Sequence, residues 1–229
     1  MQMKLAQVKL IRIQLQLAMT LMGRISSVSR KEETHTGQFG RDRSAILPVP
    51  MSCVSWNCRG LENPEAVREL RNIVKQELPG LLFVMETKIS AKRVENLQTT
   101  LGFAGCFAVD NEGLSGGIAL FWSADVKVEL RNYSSSHIDV MVQKIDQNPK
   151  PWRFTGFYGA PRVGARHHSW RFLRTLMAIP HTAWLCVGDF NETLYASEHF
   201  SRAARPEWQM RAFREVTDEC LFQDLGWTG

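Results

Sequence analysis

The chain has 229 residues, of which 44% are hydrophobic and 22% charged. This composition is typical of a globular protein and excludes collagen, coiled coils and disordered chains. The net charge is +5, and it comes from residues 1–50, which hold 8 basic and 3 acidic residues against 20 of each in residues 51–229. The charge is therefore no argument for nucleic-acid binding by residues 51–229. Five cysteines without a C-x-x-C pair argue against disulfide and zinc frameworks and indicate reduced thiols inside a cell.

Residues 1–50 are predicted to be a basic N-terminal extension and linker without ordered structure. Basic and amide side chains interrupt the apolar stretch at residues 1–22, so it does not predict a membrane span. Residues 1–31 lack acids and contain several serines, which resembles an organelle transit peptide more than a secretory signal. The favoured interpretation is nevertheless a non-native extension or a disordered tail, with a working transit peptide as the alternative. The expected location is intracellular, with the nucleus and an organelle as candidate compartments.

From residue 51 onward, apolar strand-like runs alternate with amphipathic helical patterns. Helices are predicted where apolar residues recur every three or four positions behind a capping residue, as after Asn63 and Pro64. The predicted helices are 64–78, 90–101, 166–177 and 207–220. The predicted strands are 51–56, 81–85, 103–109, 117–122, 126–130, 138–145, 152–158 and 184–188.

Five of these strands follow one another between residues 103 and 158 without a helix between them, which indicates antiparallel hairpins within a mixed sheet. Helices outside a mixed sheet core predict an α/β sandwich over residues 51–229. The chain ends at 224–229 on an apolar, glycine-containing segment that is typical of an approach to another strand. We therefore expect this domain to be incomplete.

Polar side chains stand at the ends of four predicted strands: Asn57, Glu86, Tyr158, and Asp189 with Asn191. Taken singly, each is more often a turn residue or a helix cap. Together, at the mouths of neighbouring strands, carboxylate and amide oxygens form the surroundings that Mg²⁺ prefers.

Five segments carry a resemblance to the endonuclease/exonuclease/phosphatase superfamily, and more closely to the apurinic-type endonuclease of plant non-LTR retrotransposons. They are SWNCRG at 55–60, METK at 85–88, SGGIA at 115–119, GFYG at 156–159 and GDFNE at 188–192. The resemblance implies a four-layered α/β/β/α sandwich with mixed sheets that lacks its last strands. It also implies divalent-metal-dependent cleavage of phosphodiester bonds.

The resemblance gives each strand-end residue a role. Glu86 would hold Mg²⁺, with Mn²⁺ as the alternative ion, and Asn57 would lie close by as a ligand or as a contact of a metal-bound water. Asp189 would orient or deprotonate the attacking water, Asn191 would position that water and the phosphate, and Tyr158 would donate to a phosphate oxygen. In-line attack on a phosphodiester needs these three kinds of group: a metal, a carboxylate beside the nucleophile and neutral donors.

Two departures from the family pattern concern activity. Arg59 stands where some members have an aspartate, and the closing Ser-Asp-His motif of the family does not occur in this sequence. We therefore expect a truncated enzyme with impaired catalysis. The histidines outside any motif are interpreted as surface or core imidazoles; these are His137, His167, His168, His181 and His199.

A basic segment surrounds Tyr158. No acidic residue lies between Asp146 and Asp189, and a local positive field beside a phosphate site suits a polyanion. The predicted nucleic-acid-binding residues are Arg162, Arg166, Arg171 and Arg174. The alternative is a solvated helix face whose arginine stems cover apolar surface.

The sequence therefore predicts a Mg²⁺-dependent endonuclease domain of retrotransposon origin, associated with a reverse transcriptase, that acts on DNA. No membrane and no obligate protein partner are expected. One alternative is a non-catalytic remnant, with or without nucleic-acid binding. A phosphatase that acts on lipid or inositol phosphates is the other.

Overall fold

The structure is a computed structural model that describes residues 8–13, 51–112, 115–145, 150–179, 183–198 and 204–225. Its strands are β1 (Val8–Ile13), β2 (Met51–Asn57), β3 (Leu81–Met85), β4 (Gly105–Glu112), β5 (Ser115–Trp122), β6 (Val126–Ser134), β7 (His137–Lys144), β8 (Trp152–Tyr158) and β9 (Trp184–Asp189). Its α-helices are α1 (Pro64–Glu77), α2 (Ala91–Glu95), α3 (Leu97–Leu101), α4 (Arg166–Met177) and α5 (Glu207–Glu219). Within the described ranges, no helix is long and apolar enough to cross a bilayer.

The strands form two mixed sheets. The first has the order β1-β2-β3-β5-β4 and the second the order β6-β7-β8-β9. In each sheet one pair is parallel, β2 with β3 and β8 with β9, and the other neighbours are antiparallel. The prediction of antiparallel hairpins within mixed sheets is therefore confirmed.

Three apolar clusters define four layers. Leu70 and Ile73 of α1 pack on the outer face of the first sheet against Trp56, and Trp170 of α4 packs with Phe213 of α5 on the outer face of the second. Between the sheets lies a third cluster, which joins Phe83, Ile118 and Leu120 of the first sheet to Val140 and Phe154 of the second. The predicted α/β/β/α sandwich is thus confirmed, with one core between the sheets and one on the outer face of each.

One glycine sets how closely the sheets approach. A Cβ atom at Gly156 of β8 would lie 2.4 Å from the ring of Phe83 in β3. Because the ring is fully buried, it cannot move aside without displacing the core. Gly156 is therefore required for the ring of one sheet to rest on the backbone of the other.

The predicted elements agree with the structure to within a few residues at their ends. Asn63 caps α1 as expected, since its side chain accepts a hydrogen bond from the Glu65 amide at 2.9 Å. The segment predicted as one helix after Ser90 is two short helices, α2 and α3. In the extension, where no element was predicted, β1 pairs antiparallel with β2; the division at residue 50 stays a prediction.

A buried ion pair ties β7, β8 and α4 together. Arg153 donates from Nε and Nη2 to the two carboxylate oxygens of Asp139 at 2.8 and 3.1 Å, and from Nη1 to the Leu176 carbonyl at 2.7 Å. Thr155 also donates to Asp139, at 2.7 Å. Both charged side chains have no exposed surface, so each depends on the other for its solvation.

Replacement of Asp139 by Asn should therefore destabilise the protein strongly. The substitution leaves the Arg153 guanidinium as an uncompensated buried charge, which costs about 3–5 kcal/mol. Urea denaturation measures the free energy of unfolding. The control is Glu95→Gln, which removes an exposed pair with Lys92 and should change that free energy by less than about 1 kcal/mol. Equal losses in the two variants would contradict this account.

His137 is a core imidazole, as the sequence predicted. Its ring nitrogens lie 2.7 Å from Ser134 Oγ and 2.5 Å from Asn132 Oδ1, and its ring packs on Phe172 with centroids 4.5 Å apart. Burial lowers the pKa of His137 to about 4, against a smaller opposing effect of Asp139. The imidazole therefore stays neutral in the folded protein at pH values at which it is protonated in the unfolded chain.

Acidification should consequently destabilise the protein through His137. Below the unfolded pKa of about 6.5, only the unfolded chain takes up the proton, so stability falls as the pH drops from about 6.5 towards 4. From pH 7 to pH 5 the loss should be about 1–2 kcal/mol, measured by urea denaturation. His137→Gln should remove this part of the pH dependence, and His168→Gln, at an exposed position, should leave it. An unchanged profile in His137→Gln would contradict the assignment.

Candidate active site

The predicted strand-end residues meet at one end of the sandwich. Asn57 ends β2 beside Met85 of β3, and Tyr158 ends β8 beside Asp189 of β9. The carboxyl ends of two parallel pairs, one in each sheet, therefore lie at the same edge. The Asp189 amide donates to Met85 Sδ at 3.2 Å, which places the two strand ends in direct contact.

Asn57 joins two carboxylates that belong to different sheets. Its Nδ2 donates to Glu86 Oε1 at 2.8 Å and to Asp189 Oδ2 at 3.0 Å. One amide nitrogen therefore contacts two groups that are 103 residues apart in the sequence. Asn57 is 9% exposed, so this bridge lies at the floor of the site.

Tyr158 completes the floor. Its hydroxyl donates to Glu86 Oε1 at 3.0 Å. Burial raises the pKa of Tyr158 well above its ordinary value, and the neighbouring Glu86 carboxylate raises it further. The phenol therefore stays protonated at neutral pH and keeps a donor for an anionic oxygen.

A tight turn after β9 holds Asp189 and Asn191. The Asn191 amide donates to Asp189 Oδ1 at 2.9 Å, and Asn191 Nδ2 donates to the Gly159 carbonyl at 2.7 Å. Just before the turn, Gly188 of β9 has a φ of 147° and lies so close to β8 that a Cβ atom would be 1.8 Å from the Phe157 carbonyl oxygen. Only glycine fits there, and the close approach fixes where Asp189 stands.

Strained backbone is concentrated around this site. Of the described non-glycine residues, six have positive φ, and four of them are Arg59, Glu86, Lys88 and Asn191, with φ between 54° and 56°. Such conformations are unfavourable for side chains with a Cβ and persist where surrounding contacts enforce them. The strain is consistent with a functional arrangement of these strand ends.

The donor set fits a hard divalent cation. Glu86 and Asp189 offer carboxylate oxygens, and oxygen ligands are the ones that Mg²⁺ prefers. The described residues contain no cluster of three or more His, Cys, Asp or Glu side chains with metal-binding geometry. Two carboxylates are enough for Mg²⁺, because Mg²⁺ in proteins usually keeps several water ligands. Lys88 Nζ lies 3.7 Å from Glu86 Oε2, a neighbour that the sequence analysis did not assign.

A second feature that the sequence analysis missed is a buried clamp on the turn. The Glu192 side chain has no exposed surface and lies directly after Asn191. It accepts from Arg166 Nη1 at 2.5 Å and pairs with Arg205 Nε at 3.0 Å, and Gln209 Oε1 accepts from the same Arg166 nitrogen at 2.9 Å. The clamp therefore fastens the Asn191 turn to α4 and α5. The four residues of the clamp lie on segments that are far apart in the sequence, so no local pattern predicted their contact.

The clamp corrects the predicted nucleic-acid surface. Arg166 is 7% exposed and its charge is paired with Glu192, so it is not a surface contact. Arg174 is half-exposed and pairs with Glu219 of α5, which neutralises it. Arg162 and Arg171 are exposed and stay predicted contacts. The basic segment therefore offers DNA less positive charge than the count of its residues indicated, because glutamates distant in the sequence neutralise two of its arginines.

Of the other histidines, those that the structure describes lie on the surface. His167 and His168 are exposed at the start of α4, and their rings lie 3.8 Å apart. His181 and His199 lie outside the described residues. The expected surface or core roles are therefore confirmed for His137, His167 and His168.

Solved structures with this fold include two AP endonucleases and a 3′ phosphatase. The AP endonuclease LMAP from Leishmania major matches with a TM-score of 0.52 and 15% identity, over 73% of this chain and 66% of that one. The 3′ phosphatase NExo from Neisseria, bound to a product DNA hairpin, has a TM-score of 0.52 and 15% identity, over 72% and 70%. An AP endonuclease from Archaeoglobus fulgidus has a TM-score of 0.51 and 12% identity, over 71% and 68%. At these identities the likeness establishes the fold.

Family membership comes from the sequence itself. No curated protein matches the chain. Residues 54–229 match the Endonuclease/Exonuclease/phosphatase family, a span that begins in β2 and contains every strand-end residue of the site. The chain belongs to the Endonuclease/Exonuclease/phosphatase family.

Proposed function

We propose that this chain is a Mg²⁺-dependent phosphodiester-cleaving endonuclease domain that acts on DNA. The observation that carries the proposal is the bridge of Asn57 between Glu86 and Asp189. It brings two carboxylates from separate sheets to one point, with the Tyr158 hydroxyl beside them. Family membership supports hydrolysis of a phosphate ester as the reaction class.

Each side chain has a separate task in the proposed reaction. Glu86 and Asn57 would hold Mg²⁺, which supplies charge neutralisation at the phosphate. Asp189 accepts a proton from the attacking water and keeps that water in line with the bond that breaks. The carboxylate is held for this task because its Oδ1 accepts a hydrogen bond from the Asn191 amide. Tyr158 and Asn191 donate to the non-bridging oxygens, where negative charge develops.

DNA is the proposed substrate on two grounds. The solved structures described above include two AP endonucleases and a 3′ phosphatase bound to a DNA hairpin. Arg59, Lys150, Arg162 and Arg171 are exposed cations on the segments that lead to or follow the site strands. Phosphate contacts from such side chains supply most of the affinity for DNA.

Retrotransposon origin is the finer part of the proposal. It rests on the five ordered segments, above all GDFNE at 188–192 and GFYG at 156–159. The non-catalytic remnant and the lipid or inositol-phosphate phosphatase remain the rival functions. Neither of these rivals would cleave DNA.

The catalytic prediction concerns Asp189. Prolonged incubation of supercoiled plasmid with the full chain should give nicked circles in Mg²⁺ and none with EDTA. Asp189→Asn should lower the nicking rate by about 10²–10³-fold, the usual effect of losing one preorganised catalytic group. Asp218→Asn, at an exposed position on α5, is the matched control and should nick like the parent.

The same assay separates the rivals. DNA binding without metal-dependent nicking would favour a non-catalytic remnant. Release of phosphate from an inositol phosphate without nicking would favour the phosphatase. Nicking that persists in Asp189→Asn would contradict the role of this carboxylate.

The binding prediction concerns the two exposed arginines. Affinity for a duplex should fall with salt, with a slope of about −0.9 in log–log form for each phosphate that the protein neutralises. The pair of substitutions Arg162→Ala and Arg171→Ala should flatten the slope by about 0.9 for each arginine that binds a phosphate. The charge-matched control, Arg174→Ala with Arg211→Ala, removes cations that are paired with glutamates and should leave the slope nearly unchanged. Anisotropy titrations at several salt concentrations measure both, and equal slopes in the two double variants would exclude the proposed surface.

A further inference from the structure

A half-enclosed cavity of about 260 Å³ lies between the beginnings of α4 and α5. Its walls are mostly apolar, and Val163, Trp170 and Trp208 contribute to them. We propose that this cavity is a subsite for one unstacked nucleobase of the DNA strand that is cleaved. The inference rests on the proposed function and deepens it, because it adds a base contact to a site otherwise made of phosphate contacts.

The cavity adjoins the phosphate site through the clamp. Arg166 and Glu192 both line it, and Glu192 directly follows Asn191. Arg166 Nη2 also donates to the Pro161 carbonyl at 3.4 Å, on the loop that leads away from Tyr158. Both loops that carry the proposed phosphate donors therefore continue into the walls of the cavity. A nucleotide whose phosphate lies at Asn191 and Tyr158 would have its base on this side.

The aromatic wall suits a flat, unsaturated ring. Trp208 lies in the first turn of α5 and is 57% exposed, a large exposed aromatic surface for a folded protein. Trp170 is buried in the wall and is held by stacking on Phe213, with centroids 4.8 Å apart. Stacking on an aromatic side chain is the usual way in which proteins bind unpaired bases, and it tolerates any sequence.

The surrounding charges select an anionic ligand. Arg162, an exposed cation, directly precedes Val163 of the wall. Among the described residues that line the cavity, the one carboxylate is Glu192, and Arg166 and Arg205 neutralise it. A nucleotide fits both the walls and the rim, because its base is a flat apolar ring and its phosphate is an anion. A lipid tail or an apolar peptide would gain nothing from the cationic rim.

The test compares two single-stranded 12-mers of equal charge, measured with the full chain in EDTA by fluorescence anisotropy. One carries normal bases and the other carries tetrahydrofuran residues in place of every nucleoside. The parent protein should bind the base-bearing strand about 5- to 100-fold more tightly, the range that stacking of a base contributes. Trp208→Ala should reduce this ratio to near one, and Trp208→Phe should retain most of it.

Two further variants make the result specific. Tyr195→Ala removes an aromatic side chain of the same exposed fraction, 57%, outside the cavity and should keep the parent ratio. Gly164→Leu adds a side chain at a wall position where a Cβ atom meets nothing within 4 Å, and it should block the cavity without straining the core. Its ratio should fall like that of Trp208→Ala.

The failure modes are distinct. If the parent binds both strands equally, or if Trp208→Ala keeps the parent ratio, the subsite is wrong while the DNA-cleaving function stands. If the parent binds neither strand, the subsite is wrong, while the DNA function is judged separately by plasmid nicking and duplex binding and fails only if both of those are absent. Loss of base preference in Tyr195→Ala would also overturn the assignment of the preference to this cavity.

Discussion

The arrangement of the site depends on a single amide. Asn57 donates to Glu86 and to Asp189 at once, and these carboxylates come from different sheets. Two negative charges close together repel each other, so their positions have to be enforced by the framework and by donors between them. The framework is the pair of parallel strand ends on each sheet, and Gly156 allows the sheets to approach closely enough for one amide to reach both carboxylates. A change in the spacing of the sheets would separate the site into two halves.

Buried arginines support this framework. Arg153 with Asp139 joins the strands of the second sheet to the end of α4, and Arg166 with Glu192 joins the beginning of α4 to the Asn191 turn. Both ends of the same helix are thus fastened by a buried ion pair. Breaking such a pair is costly because the remaining charge stays buried. The two pairs therefore fix the position of α4 relative to the second sheet and to the Asn191 turn.

Most of the fold was predictable from the sequence because its signals are local. Asn63 and Pro64 mark the beginning of α1, and the limits predicted for α4 agree with those of the structure. The strand-end positions of Asn57, Glu86 and Asp189 were predictable for the same reason. What the sequence could not show is which distant residue partners each charge. Arg166 lies in a run without acidic residues, yet Glu192, 26 residues away, neutralises it. The pairing arises from the packing of the turn on α4 and leaves no periodic pattern.

Location of a bound divalent cation tests the central claim most directly. A crystal of the chain soaked in Mn²⁺ would give an anomalous difference peak at the ion. The account predicts a single strong peak about 2.0–2.3 Å from a Glu86 carboxylate oxygen, at the edge where β2, β3, β8 and β9 end, and its loss in Glu86→Gln crystals. A peak elsewhere, or one that persists in Glu86→Gln, would contradict the assignment of this edge as the metal and phosphate site.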